Sequence, residues 1–342
     1  MQSWSFKEGF GLDNLVKTDE VMPEVGPRDV LLEMHAASLN YRDLVVMQGG
    51  HGRTVAPPLV PLSDGVGKII ATGRQVADFA VGDRVCPAFY QHWYGGAPPA
   101  NLDKGRLGGP LDGVLATHRV FAAETLVRIP EYLSDAEATA LPCAGVTAWS
   151  ALNEPTSLRS GETVLVQGTG GVALMALQLA KAMGARVIMT TSTPAKAKQL
   201  RELGADDVID RSKVSNWHHL VQEMTEGRGV DRVLELGGAT TLNTSVKSVK
   251  TGGTVLLIGN VTGNVAELFL PLLLSRRITL HAVSVGSQET FRSLCKVLQF
   301  HRIRPVIGKL FDFDDALLAF GALESGEVFG KVCVSCQPDR NK

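Results

Sequence analysis

"TVLVQGTGGVALMALQLAKAMGA", residues 163 to 185, is the stretch whose reading decides the fold. Thr163–Gln167 is a short apolar run of strand character, Gly168-x-Gly170-x-x-Ala173 is a turn, and a helical pattern follows at once. Such a turn needs a residue free of Cβ crowding at Gly168 and the close approach of a diphosphate at Gly170. The third position needs a small residue for helix–strand packing, and Ala173 supplies one. The N–H groups opening the helix, at Gly171 and Val172, then face an anion that the helix dipole also favours. A glycine pattern alone is weak evidence, and its position between strand and helix gives it weight.

Reading outward, strands and helices alternate. "RVIMTTST" (186–193) reads as a strand, "PAKAKQLRELGA" (194–205) as a helix and "DDVID" (206–210) as a strand. "NWHHLVQEMTEG", "DRVLELGG", "TTLNTSVKSV" and "GTVLLIGN" continue the alternation, and "RRITLHAVSVG" adds one more strand. Strands separated by helices of ten or so residues imply βαβ units, hence an α/β fold with a doubly wound parallel sheet. Residues before about 130 have another rhythm. "DVLLEMHAASL", "GVGKIIATG", "GDRVCPAF" and "GVLATHRVFAAETLVRI" are short strands broken by Gly, Pro and Asp, the pattern of an all-β, barrel-like module.

The bulk composition narrows the function classes. The 342 residues are 44% hydrophobic and 20% charged, as in a globular protein with sizeable cores. A formal net charge of −1 gives no electrostatic reason to expect nucleic acid or a membrane surface as partner. No apolar run is long enough to span a bilayer, and the opening "MQSWSFKEGFG" lacks signal-peptide character. The five cysteines, at 86, 143, 295, 333 and 336, follow no framework spacing and suit a reducing, cytoplasmic setting. "CVSC" at 333–336 lies in a β-branched run, where residues three apart point to opposite faces, so it reads as structural.

The second strand of the alternating region bears on the cofactor. A site for NAD places Asp or Glu about 20 residues after the first glycine, to hold the ribose 2′-hydroxyl. Here that place reads Thr190, Thr191, Ser192, Thr193, with no acid before Glu202. Small hydroxyls with Lys196 suit a 2′-phosphate, and Arg211 after the next strand adds a second cation, so the expected cofactor is NADPH. The competing reading is that these basic residues form a solvated face.

"SLNYRDLVVMQG", "VPLSDGVGKIIATG", "VGDRV", "LPCAGVTAW", "GTGGVALMALQLAKAMGA", "GVDRVLELGG", "TGGTVLLIGN" and the closing "GKVCV", in this order and spacing, resemble the medium-chain dehydrogenase/reductase superfamily over nearly the whole chain. The resemblance implies a GroES-like β-barrel catalytic domain, residues 1–130 completed by 286–342, and a Rossmann NADP-binding domain, residues 131–285. It also implies a homodimer joined through the last Rossmann strand, Ile278–Gly286. Zinc-dependent members hold their catalytic metal with a Cys, a His and a second Cys. At the matching places this chain has Asn40, the run Leu62-Ser63-Asp64, and Cys143. One soft ligand is short of the three a catalytic zinc needs, and "AFYQHWYGGAPPANLDKGRLGGPLDG" lacks the four cysteines of a structural zinc lobe. His51 and His92 could join Asp64 in a rebuilt site, but their spacing does not ask for one. No metal is expected.

Asn40-Tyr41-Arg42-Asp43 is instead similar to the zinc-free quinone oxidoreductase and enoyl reductase branch, in which the matching Asn and Asp lie by the nicotinamide. Arg42 and Asp43 suit a helix-start ion pair equally well. By the same resemblance Thr147, Gly259 and Asn260 approach the cofactor, and Ser284 and Lys331 border its cleft. Without a Lewis acid, reduction is easiest for electron-poor acceptors such as quinones and α,β-unsaturated carbonyls. The oxygen that gains charge then needs hydrogen-bond donors, and Asn40 and Tyr41 are the candidates. His51 is a further candidate donor or a loop histidine. Phe89, Tyr90, Trp93 and Tyr94 crowd six residues of a loop that either walls a planar substrate or packs on the barrel. Two alternatives stand beside a small-molecule reductase of this kind: an alcohol dehydrogenase-like enzyme, and a crystallin-like protein that binds NADPH without turnover.

Overall fold

The computed structural model describes residues 1–50, 55–214 and 216–337. The chain divides into two compact units, Met1–Val146 together with Val285–Lys342, and Thr147–Ser284.

In the first unit β1 (Gln2–Phe6) and β2 (Leu15–Asp19) pair antiparallel. β3 (Asp29–Ser38), α1 (Tyr41–Met47), β4 (Asp64–Thr72), β5 (Arg84–Pro87), β6 (His118–Ala122), β7 (Leu126–Arg128) and α2 (Asp135–Ala138) follow. The chain leaves along α3 (Val146–Asn153). It contributes β8 (Thr163–Gln167), α4 (Gly171–Ala182), β9 (Arg186–Thr191), α5 (Pro194–Glu202), β10 (Asp207–Asp210) and α6 (His218–Met224) to the second unit. β11 (Val230–Glu235), α7 (Leu242–Ser248), β12 (Val249–Leu257), α8 (Leu270–Arg276) and β13 (Thr279–Ala282) complete that unit. α9 (Gln288–His301), β14 (Ile307–Phe311), α10 (Ala316–Glu324) and β15 (Lys331–Ser335) return to the first.

The second unit is a six-stranded parallel sheet in the order β10-β9-β8-β11-β12-β13. This is the doubly wound Rossmann order, whose direction reverses between β8 and β11. Leu165, Ile188, Val233 and Val255 from four strands are fully buried in its core, each contributing about 1.5–3 kcal/mol. Gln167, Thr191 and Glu235 end their strands along one edge of the sheet.

The first unit is a GroES-like domain with a seven-stranded sheet. Its order is β14-β15-β3-β4-β5-β7, with β6 also on β3. Register explains how distant residues meet. Ser38 on β3 faces Asp64 on β4 on one side and Cys333 on β15 on the other. Asn40, two residues beyond Ser38, therefore comes beside Lys331, two residues before Cys333. Cys333 lies 3.5 Å from the Thr139 hydroxyl while Cys336 lies in the apolar core with Phe6 and Leu32. All five cysteines are unpaired.

The first boundary falls after Val146 rather than at 130. The intervening segment is held by the first unit: Ser38 donates to the Thr139 carbonyl at 2.9 Å, Arg84 pairs with Asp135 at 2.5 Å, and the Tyr132 hydroxyl donates to Leu298 O at 2.8 Å. The short-strand rhythm of the sequence ends near residue 130, before the segment that these contacts hold. Among the described residues no helix is long and apolar enough to cross a membrane.

Candidate active site

In the Rossmann unit the glycine turn takes the form its sequence requires. Gly168 has φ +84°, a left-handed conformation that favours glycine. Gly170 is the N-cap of α4 at φ −82°, ψ 179°, ordinary extended backbone. A Cβ built on either residue meets nothing within 4 Å, so both turn positions open onto free space. Gly171 and Val172 begin the helix beneath that space.

At the end of β9 the hydroxyls of Thr190 and Thr191 are buried and make no hydrogen bond, an open pair of polar groups beside the turn. Ser192 is exposed, and Thr193 caps α5 by accepting the N–H of Lys196 at 3.3 Å. Arg211 donates its backbone N–H to Thr191 O at 2.7 Å, and its buried Nε has no partner. Burial lowers the guanidinium's pKa, opposed by the charge of Glu235. Free space over a helix start, unpartnered hydroxyls and a cation fit a phosphate-bearing dinucleotide.

Glu235 is a residue the sequence reading missed. Its buried carboxylate accepts Gly237 N–H and Gly238 N–H at 2.8 Å each, Thr241 Oγ1 at 2.5 Å and Gln167 Nε2 at 2.7 Å, with Ser245 Oγ as a further donor. It ties the turn after β11 to the end of β8, across the reversal point of the sheet. The available signal was one acid in the apolar strand "VLELGG". Gly259 also serves this packing, since a Cβ there would stand 2.2 Å from Leu236 O. Asn260 is exposed and donates to Asn264 Oδ1 at 2.6 Å, Ser284 is exposed, and Thr147 is buried at the start of the unit.

In the GroES-like unit, Asn40 is the N-cap of α1 and Tyr41 its first residue, 42% exposed. Asp43 is buried and accepts the Asn40 backbone N–H at 2.7 Å. Arg42 pairs with Asp43 at 3.2 Å and donates to the carbonyls of Leu107 and Gly109, both at 3.1 Å. Its guanidinium also lies 5.1 Å from the centre of the Phe89 ring. Arg42 thus fastens the aromatic loop to the start of α1. Burial pushes the Asp43 carboxyl up to about 6, with Arg42 opposing the rise. Phe89, Tyr90 and Trp93 stack edge to face, Phe89 and Tyr90 are buried, and Tyr94 donates to Glu124 at 2.8 Å.

The Asn40 carboxamide is held from both ends. Lys331 Nζ donates to its Oδ1 at 2.8 Å, and its Nδ2 donates to Asp64 Oδ2 at 3.0 Å. Lys331 is 3% exposed, donates also to Leu39 O at 2.6 Å, and lies 3.7 Å from Asp64 Oδ2. Ser63 Oγ donates to Asp64 Oδ1 at 2.8 Å, and the Cys143 N–H reaches Asp64 Oδ2 at 3.3 Å. Cys143 ends up here because residues 141–145 form a wide π-helical turn packed on this unit. These donors do not fit a catalytic zinc. An ammonium already sits on Asn40 Oδ1 beside Asp64, and burial, reinforced by the charge of Asp64, raises the Cys143 thiol pKa. Among the described residues no three His, Cys, Asp or Glu side chains cluster as metal ligands. His92 is exposed, and His51 lies outside the described residues.

A Rossmann unit with an open dinucleotide turn, joined in one chain to a GroES-like unit, defines a nicotinamide-dependent oxidoreductase. The chain matches the alcohol dehydrogenase GroES-like domain family over residues 26–131 and the zinc-binding dehydrogenase family over 171–299. It belongs to the medium-chain dehydrogenase/reductase superfamily. It is 36% identical to a zinc-type alcohol dehydrogenase-like protein of Schizosaccharomyces pombe, covering 94% of this chain and 95% of that one. It is 31% identical to a quinone oxidoreductase of Pseudomonas aeruginosa, covering 89% and 82%. Among solved structures it resembles a putative alcohol dehydrogenase from Sinorhizobium meliloti 1021 (TM-score 0.93, 38% identity, 98% of each chain). A mycobacterial protein complexed with NADPH is also similar (TM-score 0.82, 27% identity, 98% of this chain and all of that one).

Proposed function

We propose that this protein is an NADPH-dependent, zinc-independent reductase of quinones or α,β-unsaturated carbonyls. The observation that carries the reading is the set Asn40–Asp64–Lys331: at a place matching a zinc ligand stands a carboxamide, fixed between a carboxylate and an ammonium. When bound, the cofactor supplies a hydride. The chain's part is to bind and orient it and to stabilise the charge that the reduction creates. Gly168, Gly170 and the first N–H groups of α4 receive the diphosphate, while Thr191, Ser192, Lys196 and Arg211 surround the 2′-phosphate. One Asn40 N–H is given to Asp64, and among the described residues the other has only Ser63 Oγ at 3.5 Å, the outer limit of a hydrogen bond. That second hydrogen is the donor for an oxygen gaining negative charge. Relatives named as quinone oxidoreductases support the acceptor class, and the NADPH-bound neighbour supports the cofactor.

We also propose a homodimer through β13. Among the described residues this strand pairs only with β12, so its far edge is unpartnered there, and α8 with its N-cap exposes Phe269, Leu270 and Leu274. Sedimentation tests it, with a monomer as the contrary result. Five unpaired cysteines support a reducing compartment.

A panel of quinones, enones and aldehydes, followed at the NADPH absorbance band with NADH in parallel, tests the function. Turnover of quinones or enones with NADPH is expected. Turnover confined to aldehydes or alcohols favours the alcohol dehydrogenase reading, and binding without turnover favours the crystallin-like one.

A further inference from the structure

We propose that Lys331 is a positioning residue for the reduction, its buried ammonium fixing the Asn40 carboxamide in the orientation that presents an N–H to the acceptor. The proposal rests on the reading of Asn40 as the hydrogen-bond donor.

The geometry gives three reasons. First, a terminal amide has two orientations of similar shape, differing in which end is oxygen. An ammonium donates only, so Lys331 Nζ at 2.8 Å requires Oδ1 on its side and directs Nδ2 toward Asp64 and Ser63. Second, the ammonium is committed to this task. It is 3% exposed, and its other contacts are Leu39 O and Asp64 Oδ2, all in the same unit. A side chain so placed acts on the site through Asn40. Third, the charges balance locally. Asp43 and Asp64 bring two acids to the neighbourhood, and Arg42 and Lys331 bring two bases. Without Lys331, Asp64 would lie beside the donor without its nearest cation and would repel an oxygen gaining negative charge. The side-chain cation therefore serves locally as a fixed positive charge that needs no ligand set.

The test is a double-mutant cycle in the full-length protein, with benzoquinone and methyl vinyl ketone as acceptors. Asn40→Ala, Lys331→Met and the double variant are compared for kcat, acceptor KM, NADPH Kd and melting temperature. Lys331→Met is expected to lower kcat by about 10- to 100-fold, the range of one lost charge-assisted hydrogen bond. The double variant is expected to be no slower than Asn40→Ala alone, because the lysine acts through the asparagine. A Lys331→Met variant with wild-type kcat, or penalties that multiply, overturns the proposal while leaving the donor reading intact. Wild-type kcat in Asn40→Ala overturns both.

Two further measurements keep the proposal falsifiable. Lys331→Met/Asp64→Asn removes both charges of the pair and leaves no lone buried ion. It is expected to lose kcat as Lys331→Met does, and wild-type kcat in it overturns the proposal. Independently of turnover, the Asn40 side-chain amide signal in asparagine-labelled protein, assigned by its loss in Asn40→Ala, should exchange slowly in the wild type. Exchange should be about tenfold faster or more in Lys331→Met, and equal rates overturn the proposal.

Discussion

Replacing Gly170 by valine separates the fold of the Rossmann unit from its cofactor binding. Gly170 has φ −82° and ψ 179°, backbone that any L-residue adopts, and an added Cβ meets nothing within 4 Å. The cost to the fold is then that of exchanging a glycine N-cap for a non-capping residue, on the order of 1 kcal/mol, or about 2–4 °C in melting temperature. The same change at Gly168 would add about 1–2 kcal/mol of left-handed strain at φ +84°. The isopropyl group at position 170, however, fills the space above the N–H groups of Gly171 and Val172. A diphosphate displaced from them loses one or two charge-assisted hydrogen bonds of about 1.5–3 kcal/mol each, which weakens binding by roughly 10-fold or more. Fluorescence titration with NADPH reads the affinity and a thermal melt reads the fold. Unchanged affinity would refute the turn assignment, and a large fall in melting temperature would refute the claim that the space is open.

Other outcomes follow from the same geometry. Ser192→Asp puts a carboxylate beside the place assigned to the 2′-phosphate and should weaken NADPH binding by about 10- to 100-fold while sparing NADH; equal effects on both cofactors count against that placement. Arg42→Ala strands the buried Asp43 and releases the carbonyls of Leu107 and Gly109, so urea unfolding should show a loss of about 3–5 kcal/mol, and a silent variant would contradict the ion pair's role. Carbon-13 NMR should find the Asp43 carboxyl titrating near 6 rather than near its ordinary 3.8. The folded chain keeps that proton through a window in which the unfolded chain has lost it. This group's contribution to stability therefore falls as pH rises from about 4 to 6, by about 3 kcal/mol in all. A midpoint near 4 would refute the burial argument.

The Rossmann unit was legible because its signals are local. The glycine turn, the strand before it and the helix after it lie within 23 residues, and each subsequent helix and strand has its own periodicity. The boundary at 130 was misplaced because the end of a strand-rich rhythm says nothing about which unit the next segment packs against; Asp135 and Thr139 answer that only through Arg84 and Ser38. The network around Asn40 was out of reach for a related reason. Asp64 is 24 residues away and Lys331 is 291, and only the register of β4, β3 and β15 brings them together. Sequence spacing could show that Asn40 and the run Leu62-Ser63-Asp64 stand at the places of the zinc-binding Cys and His. It could not show that an ammonium stands beside them. The aromatic loop was half legible, since its composition was plain while the burial of Phe89 and Tyr90, and the contact of Arg42 with Phe89, come from residues distant in sequence.

The most direct test is steady-state reduction of an enone or quinone by protein stripped with a strong chelator, its zinc content measured in the same sample, with NADPH and NADH compared. The proposed function predicts full activity with NADPH at substoichiometric zinc and a clear preference over NADH. Activity that vanishes on chelation and returns with one zinc per chain would contradict it.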